Sequence, residues 1–317
     1  MTKELDLKDK QLLYALDQNA RQSLSEISKK LRLGRDIVGY RFNRLINNGY
    51  ILGLHALVNP FALNYTVYKT YLKLEAKPLK VRALLASLKS NPKVYWSALS
   101  YGNWDMFYTF LAESPEQAHY LEDSLLSDFA DLIIEKETAV NIDILAFNKD
   151  YLSKNSGHGF KYATPKSLLP TDALDFKIIR ALAKNARVET LEMSKKFSVS
   201  PITITKRIEI MEANDIIIGY RPEIDLKKIG RTFFKARIYS AHISKENEEK
   251  LLKYCHKIRE ITYCVRQIGS CPIELSLEVK SYESLTEIIN NLKENFLGVI
   301  KRVEILPIGE QSYKWGI

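Results

Sequence analysis

The sequence predicts an α+β protein with two tandem units, each a three-helix domain followed by a domain of order β-α-β-β-α-β. Three observations lead to this prediction: the length of 317 residues, an internal repeat, and a change of hydrophobic periodicity within each repeat. At roughly 100–200 residues per domain, the length alone indicates two or more domains. A content of 46% hydrophobic and 27% charged residues is typical of globular chains and excludes wholesale disorder.

The chain repeats itself once, at a constant offset of 166 residues over about 60 positions. Chance similarity would scatter the offsets, so the repeat indicates two homologous units joined in one chain. The matching residues include Asp6 and Asp172, Ala20 and Ala186, Arg21 and Arg187, Arg41 and Arg207, and Gly53 and Gly219.

The first part of each unit reads as three helices. A 3–4 spacing of leucines, beginning at Leu12 and Leu13, is the stripe of an amphipathic helix. The pattern Ser23-x-x-Glu26 is a capping box that opens a second helix, and a turn at Gly34 precedes a third helix over residues 35–47. A tight turn between the last two helices is typical of a helix-turn-helix domain, and the extended residues 50–58 indicate a winged variant.

The second part of each unit alternates strands and helices in a ferredoxin-like plan. In the first unit the predicted strands are 65–76, 94–101, 104–112 and 133–145, and the helices are 78–90 and 115–126. In the second unit the predicted strands are 232–239, 261–268, 273–279 and 301–308, and the helices are 245–256 and 285–295. The resulting domains are 1–55 and 171–221 (helix-turn-helix) and 56–147 and 222–317 (ferredoxin-like), with 148–170 as an irregular linker.

The formal net charge of +9 is unevenly distributed. Residues 1–55 carry 10 basic and 6 acidic side chains, whereas residues 56–150 carry 9 basic and 12 acidic ones. A basic helical segment beside an acidic domain favours an anionic partner, such as nucleic acid, at the helical segment.

Two motifs at the start of each unit resemble the leucine-responsive regulatory protein/AsnC (Lrp/AsnC) family of transcription regulators. They are Asp6-x-x-Asp9-x-x-Leu12-Leu13 with Asn19-Ala20-Arg21, and Arg41-Phe42-x-Arg44-Leu45 with Gly49-Tyr50-Ile51-x-Gly53. The resemblance covers nearly the whole chain twice, as in tandem members of the family. It implies a helix-turn-helix that binds double-stranded DNA, and a ferredoxin-like domain that pairs subunits and, in many members, senses an amino acid or another small molecule.

The third helix of each unit is expected to lie in the major groove of DNA. In the first unit the residues expected to face bases are Arg35, Asp36, Tyr40, Asn43 and Arg44, and those expected at phosphates are Arg21, Lys29, Lys30 and Arg41. In the second unit the corresponding DNA-contacting residues are Thr203, Thr205, Lys206 and Arg207. Because Glu209 replaces Asn43, the first head is expected to contribute more electrostatic affinity.

A hairpin in each ferredoxin-like domain is the candidate effector site. Tyr101 and Gly102, followed by Asp105, match the Gly-x-x-Asp motif that the resemblance places near the effector pocket; a tight hairpin turn is the alternative. Gly269 opens the corresponding hairpin, but Pro272 stands where the carboxylate would be. Any second pocket is therefore expected to be altered or lost.

The remaining features predict a non-enzymatic cytoplasmic protein without a cofactor or membrane partner. The histidines are dispersed, which argues against a metal site, and Cys264 and Cys271 read as buried strand residues rather than a redox pair. No run of 18 apolar residues exists, so a membrane span is not expected. Two alternatives stay open: an enzyme like the sirohaem decarboxylases, which resemble this architecture, and an architectural DNA-binding protein. The two units are expected to pair within the chain as a pseudo-dimer, or between chains as a homo-oligomer.

Overall fold

The computed structural model describes residues 5–153, 157, 159–240 and 242–314. The α-helices are α1 Leu7–Gln18, α2 Leu24–Leu31, α3 Arg35–Asn47, α4 Pro78–Ser90, α5 Pro115–Leu126, α6 Ala173–Lys184, α7 Thr190–Phe197, α8 Pro201–Ala213, α9 Lys245–Lys257 and α10 Tyr282–Asn295. The strands are β1 Ile51–Val58, β2 Thr66–Leu74, β3 Val94–Ser100, β4 Met106–Ala112, β5 Ile133–Ala146, β6 Phe160–Tyr162, β7 Ile217–Ile224, β8 Thr232–Tyr239, β9 Ile261–Ile268, β10 Ile273–Val279 and β11 Arg302–Tyr313. The order confirms the predicted α+β class, with a helical segment before a β-rich segment in each unit.

The helical segments begin at side chains that satisfy free backbone N–H groups. Asp6 accepts a hydrogen bond from the N–H of Asp9, and Ser23 accepts one from Glu26; both form the reciprocal capping box. The Ser200 side chain caps α8 by accepting from the N–H of Thr203. Pro201 suits the first helical position, because a residue there has no helical partner for an N–H group and proline lacks one.

The two helical segments meet across an antiparallel ribbon formed by β1 and β7. His55 lies opposite Arg221, its own equivalent in the repeat, so a pseudo-two-fold axis passes between these two residues. The backbone contacts beside the ribbon follow the same symmetry. The N–H of Ala20 donates to the carbonyl of Tyr220 at 2.9 Å, and the N–H of Ala186 donates to that of Leu54 at 2.7 Å.

The remaining long strands close into an eight-stranded ring. Each unit supplies four strands, in the orders β5-β2-β4-β3 and β11-β8-β10-β9. The two sheets join through β3 with β11 and through β5 with β9, because the last strand of each unit pairs with the other unit. Helices α4 and α5 cover the outer face of the first sheet, and α9 and α10 cover that of the second.

The structure differs from the predicted elements mainly where the units contact each other. Strand β11 runs on to Tyr313 rather than ending at Ile308, because its last residues pair with β3 of the first unit. The expected irregular linker, residues 148–170, contains a short 3-10 helix, Asp150–Leu152, and strand β6, which pairs with β5. Arg221 donates to the side chain of Asn148 at 3.0 Å, so this segment is anchored to the ribbon rather than free.

Three further expectations concern the cysteines, membrane-spanning helices and metal ligands. Cys255, Cys264 and Cys271 are all buried and free of disulfides, as predicted for the last two. None of the described helices has the length and apolarity needed to cross a bilayer. Within the described ranges, no three His, Cys, Asp or Glu side chains are grouped as metal ligands; His158 lies outside those ranges.

Candidate nucleic-acid interface

Helix α3 has one buried face and one exposed face. Its inner residues Val38, Phe42 and Leu45 are buried in the helical core, as their spacing predicts. The exposed face carries Arg35, Asp36, Asn43 and Tyr40, whose exposure is 68%. Lys29 and Lys30 at the end of α2 are also exposed. Most of the side chains expected to contact DNA therefore share one exposed surface of the first unit.

Two arginines of this set are held by the beginning of α1. Arg41 forms ion pairs with Asp6 at 2.7 Å and with Asp9 at 2.8 Å, and Arg44 also pairs with Asp9. Asp9 is only 1% exposed, so its charge is satisfied by these two arginines. Arg41 and Arg44 therefore also have a structural role, in which Asp6 and Asp9 offset their positive charges. Their contacts with DNA stay a prediction.

Helix α8 repeats this arrangement with a less polar surface. Arg207 pairs with Asp172 at 2.8 Å and with Asp175 at 3.1 Å, matching Arg41 in the first unit. Thr205 and Lys206 are exposed, but the Thr205 hydroxyl donates to the carbonyl of Pro201. Thr203 is half-buried at the N-terminus of α8, where its N–H donates to Ser200.

The two helical segments exchange arginines across the pseudo-two-fold axis. The Arg187 guanidinium donates to the carbonyls of Ala20 at 2.8 Å and Gln22 at 2.6 Å, and it stacks over the Phe42 ring. Arg21 donates reciprocally to the carbonyl of Ala186. One nitrogen of the Arg21 guanidinium is thus used inside the protein, and a contact of Arg21 with phosphate stays a prediction. The repeat of Asn-Ala-Arg in both units was the signal that could have revealed this exchange.

The hairpin residues do not form one site. The Asp105 carboxylate accepts a hydrogen bond from the N–H of Leu74 at 2.8 Å, so it braces the start of β4 against β2. A Cβ at Gly102 would come within 3.3 Å of the Ile305 carbonyl on β11, whereas one at Gly269 would meet Ala139 on β5. The two hairpins therefore lie at opposite junctions of the ring.

The Tyr101 side chain is 62% exposed beside the first hairpin. Glu274 does not stand in for the carboxylate missing from the second hairpin, because its side chain is buried against Lys69 and Lys235. Sequence reasoning assigned no role to these two lysines, although they occupy equivalent positions of the repeat.

Comparison with known proteins agrees with this arrangement. A winged helix-turn-helix DNA-binding family model matches residues 5–51 and 171–218. The chain is 33% identical over 121 residues to the regulatory protein AsnC of Haemophilus influenzae, a match covering 37% of this chain and 78% of that protein. It is 32% identical over 123 residues to the transcriptional regulator LrpB of Bacillus subtilis, covering 38% and 80%.

Over the whole chain, the fold is similar to that of the siroheme decarboxylase NirDL. The TM-score is 0.67 at 9% sequence identity, and the alignment covers 97% of this chain and 92% of NirDL. An identity this low establishes a shared fold and nothing further. The regulator relatives, the paired helix-turn-helix matches and the repeated motifs together identify the chain as a member of the Lrp/AsnC family in its tandem, two-unit form.

Proposed function

We propose that this protein is a sequence-specific DNA-binding transcription regulator in which a single chain supplies both DNA-reading heads. The heads are residues 1–55 and 171–221, and the two ferredoxin-like domains, 56–147 and 222–317, hold them together and sense a small-molecule effector such as an amino acid. The observation that carries the proposal is the reciprocal contact of Arg21 and Arg187, which ties the two heads together about one pseudo-two-fold axis.

A fixed pair of heads supports binding to two half-sites with a set spacing. Dimeric helix-turn-helix proteins read half-sites about 34–36 Å apart, one helical turn of DNA, because both recognition helices then face the same side of the duplex. Here the symmetric ribbon of β1 and β7 supplies the same kind of constraint within one chain. Inserting about half a helical turn between the half-sites should therefore abolish tight binding.

The two heads are expected to contribute unequally. Arg35 has no ion pair among the described residues, so its charge is available to DNA. In α8, Lys206 likewise has no ion pair among the described residues, but Glu209 is exposed on the same helix and opposes binding to phosphate. We expect Arg35→Ala to weaken operator binding more than Lys206→Ala. A variant that loses a phosphate contact should also reduce the slope of log binding constant against log salt concentration by about 1.

The decisive experiment is selection of binding sites from genomic fragments by the full chain, followed by affinity titrations at several salt concentrations. A specific-to-nonspecific affinity ratio of about 10³ or more supports a sequence-specific regulator. A ratio near one would instead indicate an architectural DNA-binding protein. Failure to bind any DNA, together with a visible tetrapyrrole spectrum in the purified protein, would favour the enzyme.

Effector sensing is tested by repeating the titration with a panel of amino acids. Tyr101 and Gly102 are the first candidates for contact, because this hairpin lies at the surface next to β11. Replacement of Asp105 is a poor test of binding, since its carboxylate braces Leu74. Tyr101→Ala is preferable, and an effector response that persists unchanged in this variant would exclude the Tyr101 side chain from effector sensing.

A further inference from the structure

A cavity of about 610 Å³ lies between the two sheets of the ring. On β2 the side chains alternate: Tyr68 and Leu72 pack under the outer helices, whereas Val67 and Tyr71 belong to clusters of the ring interior. Lys69 stands between the last two and lines the cavity. The cavity therefore occupies the interface of the two units and is distinct from the hairpins.

Two lysines and one glutamate lie buried in the cavity wall. Lys69 and Lys235 are each 2% exposed and Glu274 is fully buried. The Glu274 carboxylate accepts from Lys69 at 2.6 Å and from Lys235 at 2.8 Å, and it also accepts from the Tyr71 hydroxyl. We call these three charged residues the Lys-Glu-Lys triad.

With Lys69 charged, the triad carries one positive charge more than its single carboxylate can balance. The other buried cations of the wall have acids of their own: Arg221 lies 3.5 Å from Asp17, Arg231 lies 4.0 Å from Glu260, and Lys149 pairs with Glu278. A buried charge without a partner is costly, so the excess favours a bound anion.

A further polar group faces the cavity without a partner. Asn141 lines the cavity and is only 5% exposed, and its Oδ1 atom has no hydrogen-bond partner among the described residues. Buried polar groups are normally hydrogen-bonded, so an unsatisfied acceptor points to a missing donor, such as a water that enters the cavity with a polar ligand. This observation is independent of the charge of the triad.

Aromatic and aliphatic side chains supply the apolar part of the wall. The Trp96 ring centroid lies 5.1 Å from the Lys69 ammonium and 4.6 Å from that of Lys235. Tyr95, Tyr162 and Tyr263 add further ring surface. The cavity thus combines a compact cationic group with a wide apolar surface, the usual make-up of a site for an amphiphilic small molecule.

We propose that this cavity binds an organic monocarboxylate with an aromatic or bulky apolar body, its carboxylate held by Lys69 and Lys235. An α-amino acid fits less well beside the two lysines, because Glu274, the carboxylate next to them, already accepts from both lysines and a tyrosine. The proposed binding site does not depend on the proposed function, whereas an effect of the ligand on DNA binding does. That effect is expected because Ala56, Leu57 and Arg221 of the ribbon also line the cavity.

The test compares three small probes by calorimetry on the full chain without DNA. They are 3-phenylpropanoate, its neutral amide, and L-phenylalanine, which differ only in the charged groups. Burial lowers the pKa of Lys69 to about 7, so a buffer about one unit more acidic keeps Lys69 charged. We expect the acid to bind at least about tenfold more tightly than the amide or the amino acid, the contribution of one charge-assisted hydrogen bond.

Lys235→Met should remove this preference for the acid, because Lys69 and Glu274 then form a neutral pair. Lys80→Met, which removes the same charge at an exposed pair with Asp131, is the matched control and should leave all three affinities unchanged. Equal affinity for acid and amide in the unmodified protein would overturn the proposal, as would an unchanged preference in Lys235→Met. If the chain binds the acid but binds no DNA specifically, only the proposed function is overturned.

Discussion

Replacing Arg221 by methionine tests how the two units are held at the pseudo-two-fold axis. The Arg221 side chain is 3% exposed; it donates to the carbonyl of Phe147 at 2.8 Å and to Asn148 at 3.0 Å, and it lies 3.5 Å from the fully buried Asp17. Removing one member of a buried ion pair costs about 3–5 kcal/mol, because the other charge is left unpaired. We therefore expect Arg221→Met to lower the free energy of unfolding by about that amount, measured by urea titration followed by circular dichroism.

The repeat supplies the matched control. At the positions of Arg221 and Asp17 the first half of the axis has His55 and Ala183, and the His55 ring contacts the Ala183 carbonyl at 2.7 Å without a buried carboxylate. The double variant Asp17→Ala with Arg221→His places the same pair of residue types, His and Ala, on the other side and leaves no buried carboxylate there. It should be more stable than Arg221→Met by about 1–3 kcal/mol, since no unpaired carboxylate remains. If both variants lose the same stability, the pairing of Arg221 with Asp17 does not carry the energy assigned to it.

Three further outcomes are expected. Asp9→Asn should lower stability by about 1–2 kcal/mol through loss of its ion pairs with Arg41 and Arg44. It should nevertheless strengthen nonspecific DNA binding in gel shifts, because the charge opposing the two arginines is removed; weaker DNA binding would contradict this. Burial opposes the ionised form of Glu122, but hydrogen bonds from Lys136, Thr70 and Thr138 leave its pKa below the ordinary value. The stabilisation by ionised Glu122 is therefore present above about pH 4.5 and lost on acidification. Glu122→Gln should accordingly reduce the loss of unfolding free energy as the pH is lowered below that value. Burial raises the pKa of the Cys255 and Cys271 thiols to about 12, so thiol reagents at neutral pH should label them only as fast as the protein opens; rapid labelling of the native chain would argue against burial.

Local signals predict the helices closely. Helices α3, α4 and α5 span the residues expected, because a glycine, a proline or a capped proline marks each start and the apolar spacing defines each length. Helix α10 begins at Tyr282, three residues before the expected start, since Ser281 provides the cap. Local sequence is sufficient where the stabilising contacts are themselves local.

Contacts between the units were not predictable in the same way. The extension of β11 depends on β3, and the strand in the supposed linker depends on β5, so neither has a local signal. The Lys-Glu-Lys triad was hidden because an isolated lysine in a strand is normally exposed. Two signals were nevertheless present: apolar residues on both faces of β2, and lysines at equivalent positions of the repeat.

The ribbon of β1 and β7 has a consequence for how DNA occupancy depends on protein abundance. A regulator assembled from two separate chains must first associate, so at low copy number its active form rises with the square of the chain concentration. When both halves belong to one polypeptide, pairing is intramolecular, and its effective concentration is set by the tether rather than by expression. Occupancy of a two-half-site operator by this chain should therefore rise in direct proportion to the number of molecules, and neither half can exchange its partner for a related protein.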